Sequence, residues 1–536
     1  MPSPADEVDS ERISARSLWL AMGAYVALVV TLALRHEMWR DEVRAFSVAT
    51  KAGSWSALLT DLQYEGHPIL WYAVLRLGYS VSHSNLVLPV AGLAAGAIAA
   101  YLLLRHAPFP VWLRMLAVFG AFLGYELSVV SRNYGIGVVL MICACIAFPS
   151  RRKRPLLLGF TLALLANTSV HAALASLVLL FLWLIDLFDA EERAPLLRIS
   201  GVAAVALAVA GVAAAYWTAV PSPDMVWAFS PDRFQPGSVL RTIFTDPGLA
   251  MSGANAANIA AANELPWRVV GIDSGVASRV IVDICLAWLA WSLRRHRGAL
   301  AALILTILGF EILFRHVYSG SLRHEGLVAF LFIAICWITI TRGRTPESPP
   351  ERRRIAMGLL PMLLAQTAAL PVMAQRYIKY DESGSRAYGD FIKAHPRYRD
   401  AIIAGEPDYM MESMPYYVGN KVFMPRQREF AYRVHFDRGQ RRIADLSMGQ
   451  LIDIVDSVVC ASRKPVLLAI AYRELLWQRQ AEIPGAYKGM MFRWTEDERD
   501  RLMRRAPKVA AFPHSTTDEI YRVFEFAPGA STHCAP

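Results

Sequence analysis

The sequence predicts a polytopic α-helical membrane protein that ends in a soluble α/β domain. Three observations predict it. Apolar residues make up 55% of the 536 positions and the mean hydropathy is +0.33, whereas soluble domains are roughly 45–50% apolar. Many apolar runs are near the length of about 20 residues that a membrane-spanning helix needs. From residue 375 onward the apolar runs shorten, charges of both signs mix, and strand-like and helix-like patterns alternate.

Taken in order, eleven segments read as spans: 17–34, 86–104, 112–130, 134–149, 155–170, 172–188, 199–219, 274–293, 299–314, 325–341 and 355–374. The stretch "PILWYAVLRLGYSVS" at 68–82 is apolar but short and carries Arg76. It reads as a helix lying at the membrane interface. The leading "MPSPADEVDSER" is polar and acidic, and the run behind it is long enough to stay as a helix, so no cleavable signal peptide is expected.

The net charge of +10 gathers in short clusters between apolar runs. These are "RHAPFPVWLR" at 105–114, "RRKR" at 151–154, "RRHR" at 294–297 and "RGRTPESPPERRR" at 342–354. Basic loops mark the cytoplasmic side. With eleven spans and a cytoplasmic amino terminus, all four fall on that side and the tail falls outside. Topology explains the charge better than nucleic-acid binding does, and no nucleic-acid partner is expected. The domains expected are therefore 1–374, with an outer loop at 35–85, and an extracytoplasmic 375–536. In the tail, "AIIAGEP" (401–407), "PVLLAIAY" (465–472) and "YRVFEFA" (521–527) read as strands, and "SMGQLIDIVDSVVCAS" (447–462) as an amphipathic helix. "GEPDYMMES" reads as a loop at a strand end, without a phosphate-binding motif.

Of the six cysteines, Cys143, Cys145, Cys285 and Cys336 lie in apolar runs and read as small buried hydrophobes. The C-x-C spacing of the first two lacks a second pair. Cys460 and Cys534 lie in the polar tail, where a disulfide and two free thiols are both open.

Unusual polar residues gather at the outer ends. "RDEVRAF", from Arg40 to Phe46, follows the first span and sets Asp41 beside Glu42. "YEGHP" brings Tyr64 and His67, "SRNYG" brings Arg132, Asn133 and Tyr134, "NTSVH" brings Asn167 and His171, and "FRHVYSGSLRHEG" brings Arg323 and His324. Arginines at helix ends also snorkel to headgroups without further purpose, and Asn167 and His171 read best as satisfying a helix turn. The acid pair is harder to explain that way, because acids contribute little to topology. Mutual repulsion should raise the pKa of one member and a neighbouring cation should keep the other ionised, which suits a general base. Arginines and a histidine suit the charge of a leaving phosphate, and the bilayer can deliver a lipid-linked donor.

The pattern resembles the GT-C superfamily of membrane glycosyltransferases that use polyprenyl-phosphate sugars, of the protein mannosyltransferase or aminoarabinose transferase type. The resemblance rests on "RDEVRAF" after the first helix, "GHPILWYAVLRLGY" leading into a juxtamembrane helix, "SRNYGIG" at a later helix start and "SLRHEG" near the last. It covers roughly residues 17–341. It implies Asp41 as catalytic base on the acceptor hydroxyl, with Glu42 as its partner. It implies that Arg132 and Arg323 bind the donor phosphate, assisted by His324 and Tyr134. His67, with Tyr64 and Asn133, would shape the substrate pocket. Inversion by direct displacement is implied. Where relatives often have two prolines after the histidine, this chain has "HPI", which puts the role of His67 in question. Some relatives use a divalent metal; the acid pair with His67 lacks a further ligand cluster, so no metal or other cofactor is expected.

The competing reading is a lipid or glycolipid transporter. Transporters place ionisable groups near the bilayer midplane, often in repeated halves, whereas here they sit at one end. A sensor built around the tail would leave the outer cluster unexplained, and a headgroup phosphotransferase would call for a metal or nucleophile motif. The expected setting is a bacterial inner membrane with the site on the periplasmic side. The acceptor, whether glycan, lipid or protein, and the sugar are not written in the sequence. Trp217 reads as part of the interfacial aromatic belt, and Trp227 and Phe229 as belt or sugar-stacking residues.

Overall fold

The computed structural model describes residues 13–222, 274–314, 322–343, 347–435, 443–476, 478–485 and 489–529. The leading "MPSPADEVDSER", Trp227, Phe229, the middle of "FRHVYSGSLRHEG" and Cys534 lie outside the described residues.

The first part of the chain is helical: α1 (Ala15–Arg35), α2 (Arg40–Lys51), α3 (Trp55–Leu62), α4 (Leu70–Ser82), α5 (Val87–His106), α6 (Val111–Val118), α7 (Tyr134–Ala147), α8 (Pro155–Ala166), α9 (Val170–Leu184), α10 (Ala190–Leu197), α11 (Ile199–Ala219), α12 (Ser274–Leu293), α13 (Arg297–Ile312), α14 (Leu322–Thr341), α15 (Pro349–Met357) and α16 (Leu360–Lys379). Among the described residues, five helices are long and apolar enough to cross a membrane, six if the α15–α16 pair, bent by 45°, counts as one. The expected number of eleven is therefore not reached by length and composition. Each expected segment does contain helix, but several are short. Residues 112–130 depart most: α6 stops at Val118, a π-helical turn covers Phe122–Glu126, and an irregular buried stretch leads to Tyr134.

Two glycines explain how closely these helices pack. A Cβ on Gly96 of α5 would lie 2.4 Å from Cβ of Ser128, so glycine lets the irregular stretch nest against α5. A Cβ on Gly159 would lie 2.2 Å from the Ala204 carbonyl oxygen, so α8 and α11 meet through small residues. Burial sorts the spans. The apolar window of Arg323–Thr341 is 94% buried and forms the centre of the bundle, whereas that of α11 is 28% buried. Exposed Trp19, Leu20, Leu34, Ile199 and Trp217 give the outside of the bundle an apolar surface suited to lipid.

The four basic loops share one end of the bundle. Arg151 and Arg342 both pair with Asp186, at 2.6 and 2.7 Å. His296 and Arg295 reach Glu351 at 2.9 and 3.6 Å. Phe109, between the first loop's arginines, packs edge-on against Trp337 near the end of α14. Several of these arginines are therefore ion-paired structural groups.

The tail carries a six-stranded mixed sheet in the order β3-β2-β1-β5-β9-β8 and a three-stranded sheet in the order β4-β7-β6. The three strands read from sequence are β1 (Ile402–Glu406), β5 (Val466–Ile470) and β9 (Tyr521–Phe526), which are the adjacent central strands. Alternation explains their continuous apolarity. Ile402 and Ala404 face one core and Ile403 the other, so the sheet is covered on both faces. The amphipathic helix α18 (Met448–Ser462) follows α17 (Ser385–Ala394). A capping box of Ser447 and Gln450 starts it. Cys460 on this helix is disulfide-bonded. Strands β2 (Val422–Met424), β3 (Glu429–Phe430), β8 (Lys508–Phe512) and the small sheet of β4 (Asp445–Ser447), β6 (Ala481–Pro484) and β7 (Met491–Trp494) complete the layer.

Helices α2 to α4, the expected first outer loop, lie under this tail. Arg433 pairs with Asp61 at 2.5 Å, Tyr417 donates to the Met38 carbonyl at 2.7 Å, and Ser383 N–H donates to Glu37 at 2.9 Å. Arg44 joins Glu65, at 2.6 Å, to Glu412 of the tail.

Candidate active site

Helix α2 begins where "RDEVRAF" begins. Glu42, at its third position, accepts the Trp39 N–H at 3.4 Å, and both acids in the first turn complement the positive end of the helix dipole. Successive helical residues point in different directions, and this separates the pair. Glu42 turns inward and is fully buried. Its carboxylate accepts the Ser131 N–H at 2.5 Å and lies 2.8 Å from His36 Nε2. The other ring nitrogen of His36 meets Glu382 of the tail at 2.5 Å. Burial opposes a charge on His36, but the carboxylates of Glu382 and Glu42 outweigh it and hold its pKa well above the ordinary value.

Asp41 turns the other way and stays 31% exposed. Arg323 Nη2 lies 3.8 Å from its carboxylate, and Arg40 Nε also lies at 3.8 Å. Arg132 Nη1 donates to the main-chain oxygen of Asp41. Burial alone would raise the Asp41 carboxyl. The guanidiniums of Arg132, Arg323 and Arg40 outweigh it and hold the carboxyl below its ordinary value. Of the two acids, Asp41 is therefore the one that neighbouring cations keep ionised, not one raised by repulsion.

Arg132 stands just before α7, and Arg323 in the first turn of α14. Arg323 also lies over the Trp39 ring at 5.0 Å. Tyr134 OH meets His324 Nε2 at 2.8 Å, and His324 stacks on His171 at 4.2 Å. His171 thus joins this cluster, against the reading that it merely completes a turn. Asn167 does complete one, donating to the Ala163 and Gly211 carbonyls at 2.8 and 2.9 Å. Asn133 donates to the Thr168 carbonyl at 2.8 Å and so ties α7 to the α8–α9 turn. His67 sits in the same electrostatic environment. Burial first, then the charge of Arg132, pushes its pKa down to about 3, so it is neutral. Its Nδ1 is buried without a hydrogen-bond partner among the described residues. Tyr64 packs against the tail's core.

Sequence reasoning missed His36, Glu382, Trp39, Arg40 and Arg44. "RHEMWR", with His36, Glu37 and Arg40 beyond the last turn of α1, was the available signal for His36. Nothing local signals Glu382. Among the described residues there is no group of three His, Cys, Asp or Glu side chains that could hold a metal ion.

No family model matches the chain, and no curated protein matches it. Two solved structures do. One is ArnT from Cupriavidus metallidurans bound to undecaprenyl phosphate, 16% identical, covering 98% of this chain and 100% of that one at a TM-score of 0.40. The other is the same protein in the apo state, 15% identical, with the same coverage and a TM-score of 0.39.

Proposed function

We propose that the chain is a GT-C-type glycosyltransferase that moves a sugar from a polyprenyl-phosphate donor to an acceptor hydroxyl at the outer face of a bacterial inner membrane. The observation that carries this reading is the convergence of Arg132, just before α7, and Arg323, in the first turn of α14, on the partly exposed Asp41. Two guanidiniums suit a phosphate by charge and by their fixed donor geometry. An apolar slot lined by Leu286, Leu289, Val328, Phe332 and Met362 reaches Glu325, next to His324, and suits the isoprenoid chain.

In this reading Asp41 takes the proton of the acceptor hydroxyl. The acceptor oxygen bonds to C1 of the sugar as the bond from C1 to the phosphate oxygen breaks. The polyprenyl phosphate leaves with the electron pair, and the arginines hold its added negative charge. The configuration at C1 inverts. Asp41 is ionised at rest, which makes it available but weakly basic. A donor phosphate seated between the arginines offsets their charge, so Asp41 becomes more basic when the donor is bound. His324 and Tyr134 assist at the phosphate. Neutral His67, with its unsatisfied Nδ1, meets a hydroxyl of sugar or acceptor. Glu42 positions Ser131, and through it the neighbouring Arg132. The tail lies over the pocket and helps choose the acceptor.

The test is sugar transfer by purified, lipid-reconstituted protein from a panel of polyprenyl-phosphate sugars with varied acceptors. Turnover by the wild type, with large loss in Asp41→Asn that still binds donor, supports the reading. Undiminished turnover in Asp41→Asn removes Asp41 as base. Absence of transfer from every donor and acceptor pair, with substrate instead crossing the bilayer, favours a transporter.

A further inference from the structure

At the end of the bundle that carries the basic loops, a groove of about 700 Å³ opens between the C-terminal end of α12 and helix α15. That is within the roughly 300–1,000 Å³ of small-ligand sites. Its walls are Trp288, Trp291, Pro349, Arg353, Arg354 and Met357. We propose that this groove binds the headgroup of an anionic phospholipid, with the phosphate beside Arg353 and Arg354 and the acyl chains crossing Trp288 and Trp291.

Four observations support it. First, the groove is built rather than incidental. The two indoles stack at 5.3 Å, Trp288 Nε1 donates to the Met357 carbonyl at 2.8 Å, and Arg354 Nε donates to the Ser292 carbonyl at 3.1 Å. Second, the charge is lopsided. Residues 294–297 and 347–354 carry six arginines and two glutamates. One of those acids, Glu351, is shared by Arg354, His296 and Arg295. Third, the guanidinium of Arg294 lies 4.1 Å over Trp291, which extends the positive field across the aromatic wall. Fourth, Trp288 and Trp291 remain 41% and 50% exposed at the ends of apolar helices, where indoles favour the headgroup level. An apolar wall beneath a basic rim at a membrane boundary matches a lipid phosphate with attached chains better than a free ion, which has no use for the indoles. Basic pockets between helices are the kind of site that anionic headgroups occupy. The groove lies at the opposite end from Asp41, so the inference does not rest on the transfer reaction.

The test uses the full chain in detergent and native mass spectrometry, with phosphatidylglycerol and phosphatidylcholine added in turn. The wild type is expected to retain phosphatidylglycerol preferentially. Arg353→Ala, an exposed position whose loss should not disturb folding, is expected to weaken that retention about fivefold, as one arginine near a headgroup contributes roughly 1 kcal/mol. Trp291→Ala should weaken both lipids. Arg154→Ala removes an exposed arginine elsewhere at the same end and should change nothing. Equal retention of the two lipids by the wild type overturns the proposal. So does an Arg154→Ala effect as large as that of Arg353→Ala, which would mean diffuse charge attraction. Displacement of phosphatidylglycerol by millimolar inorganic phosphate would overturn it in favour of a free-anion site.

Discussion

His36 stands between two carboxylates, 2.8 Å from Glu42 on one ring nitrogen and 2.5 Å from Glu382 on the other. Glu42 belongs to the helix that carries Asp41, and Glu382 begins the tail. One imidazolium therefore fastens the tail to helix α2, and Glu42 passes the connection on to Ser131, next to Arg132.

This arrangement sets a pH dependence. The pKa of His36 is raised in the folded protein. Its contribution to stability is therefore fully present below the ordinary value of 6.5 and is lost as pH rises through the raised value. Thermal unfolding of the full chain between mildly acidic and alkaline pH should show stability falling on the alkaline side. His36→Gln should flatten that fall and cost about 3–5 kcal/mol at low pH, the usual cost of breaking a buried pair. Parallel profiles for the variant and the wild type would show that His36 is not the titrating group.

Replacing Asp41 by Asn keeps the shape and removes the proton acceptor. A loss of about 10²–10⁴ in kcat is expected, the usual contribution of general acid–base catalysis, with donor binding retained. Single-turnover transfer together with a donor-binding measurement checks both halves. Loss of donor binding with no effect on the chemical step would recast Asp41 as a binding residue.

The depressed Asp41 carboxyl gives a second pH prediction. Because three arginines hold it below its ordinary value of 3.8, the acid limb of kcat/KM, which reports free enzyme, should lie low. The limb of kcat reports the donor-bound enzyme, where phosphate offsets those arginines, and should lie higher. The stability contributed by this ionised group is present above the ordinary carboxyl value and lost as pH falls through the depressed one. Coincident limbs in the two profiles would separate donor charge from Asp41 basicity.

Arg132→Lys and Arg323→Lys keep the charge but lose the planar fork. Each should lower kcat/KM by about 10²–10³, in line with the removal of one donor to a developing anion. A donor analogue with a neutral linkage in place of phosphate should be indifferent to either change. If both variants instead keep full activity, the phosphate lies elsewhere.

Much of the fold was legible because it depends on short-range pattern. Apolar runs marked the helices, and "PVLLAIAY" marked the strand β5, to which the structure adds cover on both faces. The amphipathic pattern of "SMGQLIDIVDSVVCAS" marked α18, and the structure adds the capping box of Ser447 and Gln450 that starts it. The irregular stretch after the π-helical turn was not legible, since it depends on Gly96 of α5, distant in sequence, admitting Ser128. Strand β8 has the exposed, mixed surface of an edge strand and little periodicity to show. At the site, the order of polar motifs along the chain named Asp41, Arg132 and Arg323. The direction of each side chain was beyond it. Asp41 and Glu42 look like a pair in sequence and part ways in space, because a helix turns its neighbours apart and because Glu382, far along the chain, gives His36 a second anchor.

The tail holds a second buried ion pair, and its geometry allows a prediction independent of catalysis. Arg426 and Glu406 are both fully buried, and two guanidinium nitrogens of Arg426 reach the carboxylate at 2.6 and 2.9 Å. Tyr472 OH donates to the same carboxylate at 3.0 Å. The remaining Arg426 donors go to the carbonyls of Ile443, Ala444 and Met491 at 2.8–3.0 Å. Those carbonyls flank β4 and β7 of the small sheet, while Glu406 ends β1 of the large one, so the pair joins the two sheets. Removing one partner strands a buried charge. Glu406→Gln and Arg426→Met should each destabilise the tail by about 3–5 kcal/mol. The double change to Glu406→Gln with Arg426→Met should cost less than the sum, since neither charge is then left alone. Chemical denaturation of the full chain, followed by the fluorescence of Trp494 in β7, measures the difference. Additive losses would mean that the two side chains act separately and that the sheets are held together by their apolar faces.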